Sequence, residues 1–380
     1  MFRKMRHIDK TLLITTTILF VLGLIMVFSA SNVTAYMSRA TSPYHYFINQ
    51  LIFIVVGAVI SFILINGFNT KSIGKLSFLG ILISVGALVY LLVSNKVRAI
   101  NNANSWIEIG IFNFQPSELI KILTIFWLAY YYDKHEKGLN KWGTVLVPIA
   151  LCIGIFVLIA MQPDLGTAGI YAIIVAVMFF SIPLSKEIRG KLYLLAGIFI
   201  ALMFMFVTSG AATKILNTRQ SSRLTSYKKP CDDLLSTGNQ VCNGYIAINS
   251  GGIDGVGLGK STQKYLYLPE PYTDFIYDII IEELGLIWGI IILLLYMVVL
   301  YKILAIGRAS TNNRNALICY GVAIYIFIHI VINLAGVLGL MPLTGVPLPF
   351  MSYGGSFTLC LIIALSMVQR VSIETAQSKK

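Results

Sequence analysis

The sequence predicts an all-α polytopic membrane protein of about ten transmembrane helices. Three observations predict it: a composition too apolar for a soluble domain, a succession of apolar runs long enough to cross a bilayer, and basic residues that recur at every second connection between those runs. Of the 380 residues, 57% are apolar and 12% are charged, and the mean hydropathy is +0.80. Soluble domains hold roughly even shares of apolar and polar residues, so this excess has no place in a water-facing fold.

The apolar runs Thr11 to Ala30, Phe47 to Ile65 and Ile290 to Leu304 approach or fit the roughly 20 residues that span a hydrocarbon core. Extended along the chain, the pattern places spans at roughly 11–30, 45–66, 76–94, 116–133, 144–161, 166–183, 192–209, 276–303, 316–338 and 355–370. The first run is too long for the apolar part of a secretory signal and ends without a convincing small-x-small cleavage site, so it reads as the first helix. No internal repeat and no second soluble domain interrupts the series, and residues 1–380 read as one transmembrane domain.

A net charge of +13 in such a chain reports orientation before it reports a ligand, and no nucleic-acid partner is expected. The basic clusters are Arg3, Lys4, Arg6 and Lys10; Lys71 and Lys75; Lys134, Lys137 and Lys141; Lys186, Arg189 and Lys191; Lys302, Arg308 and Arg314; and Arg370, Lys379 and Lys380. The positive-inside bias puts those loops and both termini in the cytoplasm, which requires an even number of spans.

The connections on the other side are unequal. Gly210 to Thr273, an extracytoplasmic loop at about 210–273, runs for roughly sixty residues, a length uncommon without a function. Asn95 to Phe114 reads as an interfacial amphipathic piece carrying Trp106, Ile107, Ile109 and Phe112. Leu340 to Gly355, rich in Pro and Gly, reads as re-entrant, and irregular backbone at that depth implies a cavity or a protein lining. Of five cysteines, Cys152, Cys319 and Cys360 fall in apolar runs and read as packing. Cys231 and Cys242 share the long loop, where a disulfide and two free thiols are both open.

Ionisable residues inside spans are costly, so each needs a partner or a role. In QPSELIK, Pro116 suits a first helical turn, Glu118 lies near the positive end of the helix dipole, and Lys121 follows three positions later. Lys121 therefore reads either as the partner of Glu118 or as a cation lining a cavity, available to a carboxylate or a phosphate. Between Glu270 and Glu283 five carboxylates crowd the entry to the eighth span: Glu270, Asp274, Asp278, Glu282 and Glu283. A helix beginning this early, with Thr273 as N-cap, puts Asp274, Asp278 and Glu282 on one face and Asp274 in the first turn. The alternative is a set of ordinary helix-start acids. Asp164 reads as a cap for the sixth span or as a functional acid, Arg219 and Arg223 as an anion patch or a solvated basic loop, and His329 as a satisfied core residue. GGIDGVGLGK lacks the preceding strand and the spacing of a nucleotide loop.

The segments QPSELIK, QPDLGT, SGGIDGVGLGKSTQKYLYLPEPYTDFI, EELG and MPLTGVPLPFMSYGGS, in that order, resemble the successive signatures of the SEDS family of peptidoglycan polymerases, which includes FtsW, RodA and SpoVE. The likeness covers essentially all the predicted spans. YLPEP before TDFI looks more similar to the division branch, FtsW, than to the elongation branch, RodA. Departures are NNANSW for the usual NGARRW, Tyr272 and Tyr277 where His and Phe are frequent, and Gly238-Asn239-Gln240 where GYQ is common.

What the resemblance implies is a membrane glycosyltransferase that polymerises lipid II into β-1,4 glycan strands on the outer face of the cytoplasmic membrane. Its expected partners are lipid II, the nascent strand, a class b penicillin-binding transpeptidase and other division or elongation membrane proteins, with a septal location. Asp274 and Lys121 are the expected catalytic pair, carried over from TDF and QPSEL-x-K, with Glu270 as a supporting carboxylate. Expected substrate contacts are Arg219, Arg223, Gln115, Ser117, Glu118, Trp106 and Ser352. No cofactor is required, and a divalent cation, Mg or Mn, bridging carboxylate and diphosphate is compatible with such acids. The competing readings are an elongation polymerase, a lipid transporter and a non-catalytic division scaffold; a transporter with a midplane site usually shows inverted repeats, which are absent here.

Overall fold

The computed structural model describes residues 7–39, 41–93, 105–109, 112–162, 164–182, 184, 187–194, 197, 230–232 and 237–378. Its helices are α1 (Lys10–Arg39), α2 (His45–Gly67), α3 (Thr70–Val93), α4 (Pro116–Lys134), α5 (Trp142–Ala160), α6 (Leu165–Phe180), α7 (Thr237–Gly251), α8 (Ile276–Leu284), α9 (Leu286–Ala309), α10 (Asn313–Val337) and α11 (Gly355–Ser378). A two-stranded antiparallel hairpin, β1 (Ile107–Ile109) and β2 (Phe112–Phe114), leads into α4. That hairpin is the described part of the stretch expected as an interfacial amphipathic piece.

Among the described residues seven helices, α1 to α3, α5 and α9 to α11, are long and apolar enough to cross a membrane. The chain is therefore a multi-pass membrane protein. Helix α6 is apolar but has only 16 residues, and α4 has the length but carries Glu118, Lys121, Asp133 and Lys134. The expected seventh span, 192–209, lies mostly outside the described residues.

The helices differ in what surrounds them. Their apolar stretches are 72% buried in α10 and 83% in α11, against 22% in α2 and 28% in both α3 and α5. Helices α10 and α11 thus form the centre, and α1, α2, α3, α5 and α9 turn one side outward. α3 packs along α4, α2 along α11, and α10 touches α4, α6 and α9. Without a hydrophobic force between helices in lipid, close approach at small residues becomes the main source of packing. At Gly321 of α10 an added methyl group would overlap Ile125 of α4 and Met178 of α6, and at Gly57 of α2 it would overlap Ile362 of α11.

One end of the bundle is closed by ion pairs. Arg314 donates to Asp133 at 2.8 Å and to the Thr70 hydroxyl at 3.1 Å. Glu374 accepts from the Thr70 amide at 2.9 Å and from Arg370 at 3.0 Å, and Arg370 also reaches the Ile65 carbonyl at 2.8 Å. Both described chain ends lie here: Ser372 donates to the His7 carbonyl and Gln369 accepts from the Asp9 amide.

The eighth span departs from expectation. Instead of one helix over 276–303 the chain forms α8 and α9, broken at Gly285 with φ 88°. A side chain there would run into the Ile253 carbonyl, because the glycine-rich loop 251–259 inserts at the break. The broken ends keep their hydrogen bonds through that loop: Val256 and Gly257 donate to the carbonyls of Glu282 and Glu283 at 2.9 Å each, and Leu286 donates to Gly252 at 3.0 Å. The positive φ values of Gly252, Gly255, Gly257 and Gly259 fit GGIDGVGLGK for this insertion rather than for a phosphate.

Cys231 and Cys242 are bridged, with Cα atoms 5.0 Å apart, joining the turn Pro230–Asp232 to α7. Cys152, Cys319 and Cys360 are buried and free, as packing residues should be. With the bridged cysteines 11 positions apart in sequence, the crosslink contributes about 3 kcal/mol at most by restricting the unfolded chain. Mass spectrometry after alkylation should show Cys231 and Cys242 unmodified until reductant is added; modification of both thiols without reductant would contradict the bridge.

Candidate functional site

At the end of the bundle opposite the ion-pair latch, Asp274 sits in a non-helical turn just ahead of α8. This differs from the expected first-turn position: α8 begins at Ile276, its N-cap is Phe275, and Thr273 does not cap it. The segment between α10 and α11 is also irregular, as expected, and deeply buried at Leu348, Phe350 and Met351. These two irregular pieces hold each other. Asn333 of α10 donates both amide hydrogens, one to the Asp274 carbonyl and one to the Val346 carbonyl, each at 2.8 Å. The Ser352 hydroxyl donates to the Thr273 carbonyl at 2.5 Å and accepts from the Leu348 amide at 2.7 Å. Tyr353 donates from its backbone to Tyr272 at 2.9 Å. The half-buried Asp274 side chain faces Gly345, where even a methyl group would lie 3.4 Å from its Oδ2.

Glu270, between Pro269 and Pro271, has φ 54°, rare for a residue with a side chain. The Thr273 hydroxyl lies 3.2 Å from its carbonyl and 3.3 Å from Oε2, so the turn that carries Glu270 also carries Asp274. The three remaining acids are buried on α8. Glu282 accepts from the Ser261 and Thr262 hydroxyls and from the Thr262 amide. Glu283 pairs with Lys264 at 2.9 Å and accepts from Ser29 of α1 at 2.6 Å. Asp278 faces Gly244 of α7, and among the described residues neither of its oxygens has a hydrogen-bond partner. Asp274, Asp278 and Glu282 therefore do not share a helical face open to solvent.

Lys121 is fully buried. Its Nζ donates to Glu118 Oε1 at 2.8 Å, so the intrahelical pair exists, and lies 3.1 Å from His329 Nε2 of α10. His329, read from sequence as a core residue, is thus part of the charged centre. Glu118 Oε2 and the Ser117 hydroxyl are buried without hydrogen-bond partners among the described residues. Gln115 donates to Asp164 Oδ2 at 3.1 Å while its backbone amide reaches the Ser356 hydroxyl at 3.1 Å. Asp164 also caps α6 through the Thr167 amide at 3.1 Å. Gln115 and Ser352, expected as substrate contacts, use their polar groups to brace the site from inside. Trp106 is half-buried just ahead of β1, and Arg219 and Arg223 lie outside the described residues. Lys264 and Asn333 were not singled out by sequence; the signal for Asn333 was its position one turn beyond His329.

Among the described residues no three of His, Cys, Asp and Glu gather around one point.

Residues 10–377 match the family model of the FtsW, RodA and SpoVE cell cycle proteins. The chain belongs to that family. Over the whole chain it is 37% identical to a Bacillus subtilis (strain 168) protein described as "Probable peptidoglycan glycosyltransferase FtsW", covering 95% of that protein. It is 35% identical to the "Stage V sporulation protein E" of the same organism, over 96% of each chain. Two solved structures share the fold at 24% identity. One is a chain described under "Structural coordination of polymerization and crosslinking by a peptidoglycan synthase complex", with a TM-score of 0.76 over 97% of this chain and 99% of that one. The other is the Thermus thermophilus rod shape determining protein RodA, with a TM-score of 0.66 over 96% of each.

In this SEDS chain the buried pair makes a stability prediction. Lys121→Met leaves Glu118 without its cation and should destabilise the protein by about 3–5 kcal/mol. Adding Glu118→Gln removes the stranded charge and should restore most of the loss. Thermal unfolding in detergent reads both; an unchanged midpoint for Lys121→Met would show that the pair does not support the fold.

Proposed function

We propose that this chain is a membrane-embedded peptidoglycan glycosyltransferase that polymerises lipid II on the outer face of the cytoplasmic membrane, in septal synthesis during division. The observation that carries the reading is Asp274: a half-buried carboxylate at one end of the bundle, its backbone pinned by Asn333 and its neighbours by Ser352 and Tyr353. Family membership and the names of the FtsW relatives support the substrate and the division role.

Lipid II presents its sugar through an α-linked diphosphate, and the strand formed is β-linked, so the anomeric centre inverts. The 4-hydroxyl of one sugar forms a bond to the anomeric carbon of the next, and the bond from that carbon to the diphosphate oxygen breaks. The hydroxyl proton passes to Asp274, and the electron pair leaves with the diphosphate. No glycosyl-enzyme intermediate is needed, unlike the two-carboxylate retaining scheme. Glu270, carried on the same turn, supports the acceptor side. Lys121 acts as a fixed positive charge within the bundle, and Arg219 and Arg223 are the cations proposed to meet the leaving diphosphate. A class b penicillin-binding transpeptidase is the proposed partner, a reading supported by the likeness to a chain of a peptidoglycan synthase complex.

Asp274→Asn keeps the shape but cannot take a proton. Purified with its transpeptidase partner and given lipid II, it should lose at least about 10²-fold in strand synthesis. Near wild-type strands would place the base elsewhere, with Glu270 next in line, whereas flipped lipid or no turnover from the unmodified protein would favour a transporter or a scaffold.

The proposed topology has ten spans, counting α8 and α9 as one, with both termini cytoplasmic. The alternation of basic clusters and the meeting of both chain ends at the latch support it. A cysteine introduced at Gly138 should react with a membrane-impermeant thiol reagent only after permeabilisation; labelling in intact cells would reverse the orientation.

A further inference from the structure

Tyr325, His329 and Asn333 recur every four residues along α10 and so share one face. Each does something to the site. His329 Nδ1 lies 2.7 Å from the Tyr325 carbonyl, which can only accept, so the ring hydrogen is on Nδ1. Nε2 then carries the lone pair, and it stands 3.1 Å from Lys121 Nζ, which can only donate. His329 is therefore neutral and in a fixed tautomer. Its ring is held between Tyr325 and Phe357, with centroids 4.6 Å and 5.0 Å away. The Lys121 ammonium has one acceptor in Glu118, a second in His329, and the face of Tyr325 at 5.7 Å. Its position is determined from three directions, two of them on α10.

One turn further on, Asn333 holds the Asp274 and Val346 carbonyls. Both partners are acceptors, so its amide orientation is fixed as well. A turn of four residues advances about 6 Å along the axis. The buried cation and the backbone of the carboxylate turn are thus hung from adjacent turns of one helix, itself largely enclosed by protein.

We infer that His329 and Asn333 are positioning residues for polymerisation: the Tyr325, His329 and Asn333 face of α10 sets the placement of Lys121 relative to Asp274. This rests on the reading of Asp274 as the base and Lys121 as the fixed charge. Neither residue touches substrate. His329 acts through Lys121, and Asn333 through the turn that carries Asp274. A misplacement of even about 1 Å can cost on the order of 10²-fold in rate.

The test measures kcat and KM for lipid II with the purified protein and its transpeptidase partner. His329→Leu keeps bulk but removes the acceptor; it should lower kcat by about 10²-fold and leave KM within about threefold. His329→Gln, which restores an acceptor oxygen, should stay within about fivefold of wild type. Lys121→Ala should abolish most activity, and His329→Leu added to it should cost nothing more, since residues acting as one unit are not additive. Asn333→Asp keeps the shape and loses both donors; it should show the same kcat loss, and it carries the test should His329→Leu fail to fold. Wild-type kcat for His329→Leu or for Asn333→Asp overturns the inference, as does a multiplicative double mutant, which would mark His329 as a mere packing residue. An active Asp274→Asn protein instead overturns the reading of the base, so the two failures are distinguishable.

Discussion

A bilayer core supplies no water to an unpaired amide or carbonyl, and this constraint shapes every irregular part of the molecule. The chain leaves the helix twice among the described membrane-embedded parts, at Gly285 and between α10 and α11. Each time the freed backbone groups are taken up by another part of the protein. At the break, the loop 251–259 supplies the amides of Val256 and Gly257. Between α10 and α11, the side chains of Asn333, Ser352 and Gln50 take that place, with Gln50 accepting from the Gly354 amide at 3.2 Å. The carboxylate turn of Asp274 is held because Asn333 and Ser352 bond it as well as the segment between α10 and α11.

The same logic sorts the acids. Five carboxylates lie between Glu270 and Glu283, yet they do different things because they sit at different depths and have different neighbours. Glu282 and Glu283 are buried and hydrogen-bonded, fastening the Ser261 to Lys264 segment to α8 and, through Lys264 and Ser29, to α1. Glu270 and Asp274 stand on a turn with access to solvent. Asp278, buried against Gly244 without a hydrogen-bond partner among the described residues, belongs to neither group. A buried acid with its hydrogen bonds filled stiffens a fold; one at a surface turn can exchange a proton with a ligand.

Much of this was legible in the sequence. Apolar runs marked most of the helices, the Pro and Gly content marked 340–355 as irregular, and the Asp164 cap and the Glu118 to Lys121 pair each stood as one of two open readings. The break at Gly285 was not legible, because an apolar stretch on either side of Glu282 and Glu283 looks continuous until the inserted loop is known. The burial of Lys121 was hidden for a related reason. Its second acceptor, His329, lies on a helix some two hundred positions away, and a lone histidine in an apolar run carries no mark of its partner. Ser352 and Gln115 were expected as substrate contacts on the resemblance; that the Ser352 hydroxyl bonds the Thr273 carbonyl and the Gln115 amide bonds the Asp164 carboxylate was not legible, because those partners lie far along the chain.

The enclosure of α10 and α11 has a mechanical meaning. When a bilayer is thicker or thinner than the apolar stretches that cross it, the mismatch is met by tilting the helices that face lipid. In this chain those are α2, α3 and α5, whose apolar stretches are mostly uncovered by protein. The two helices that carry His329, Asn333 and Ser356 are wrapped by the others and meet little lipid. The periphery thus works as suspension: it can yield to membranes of differing thickness, stiffness or curvature while the spacing inside the centre stays constant.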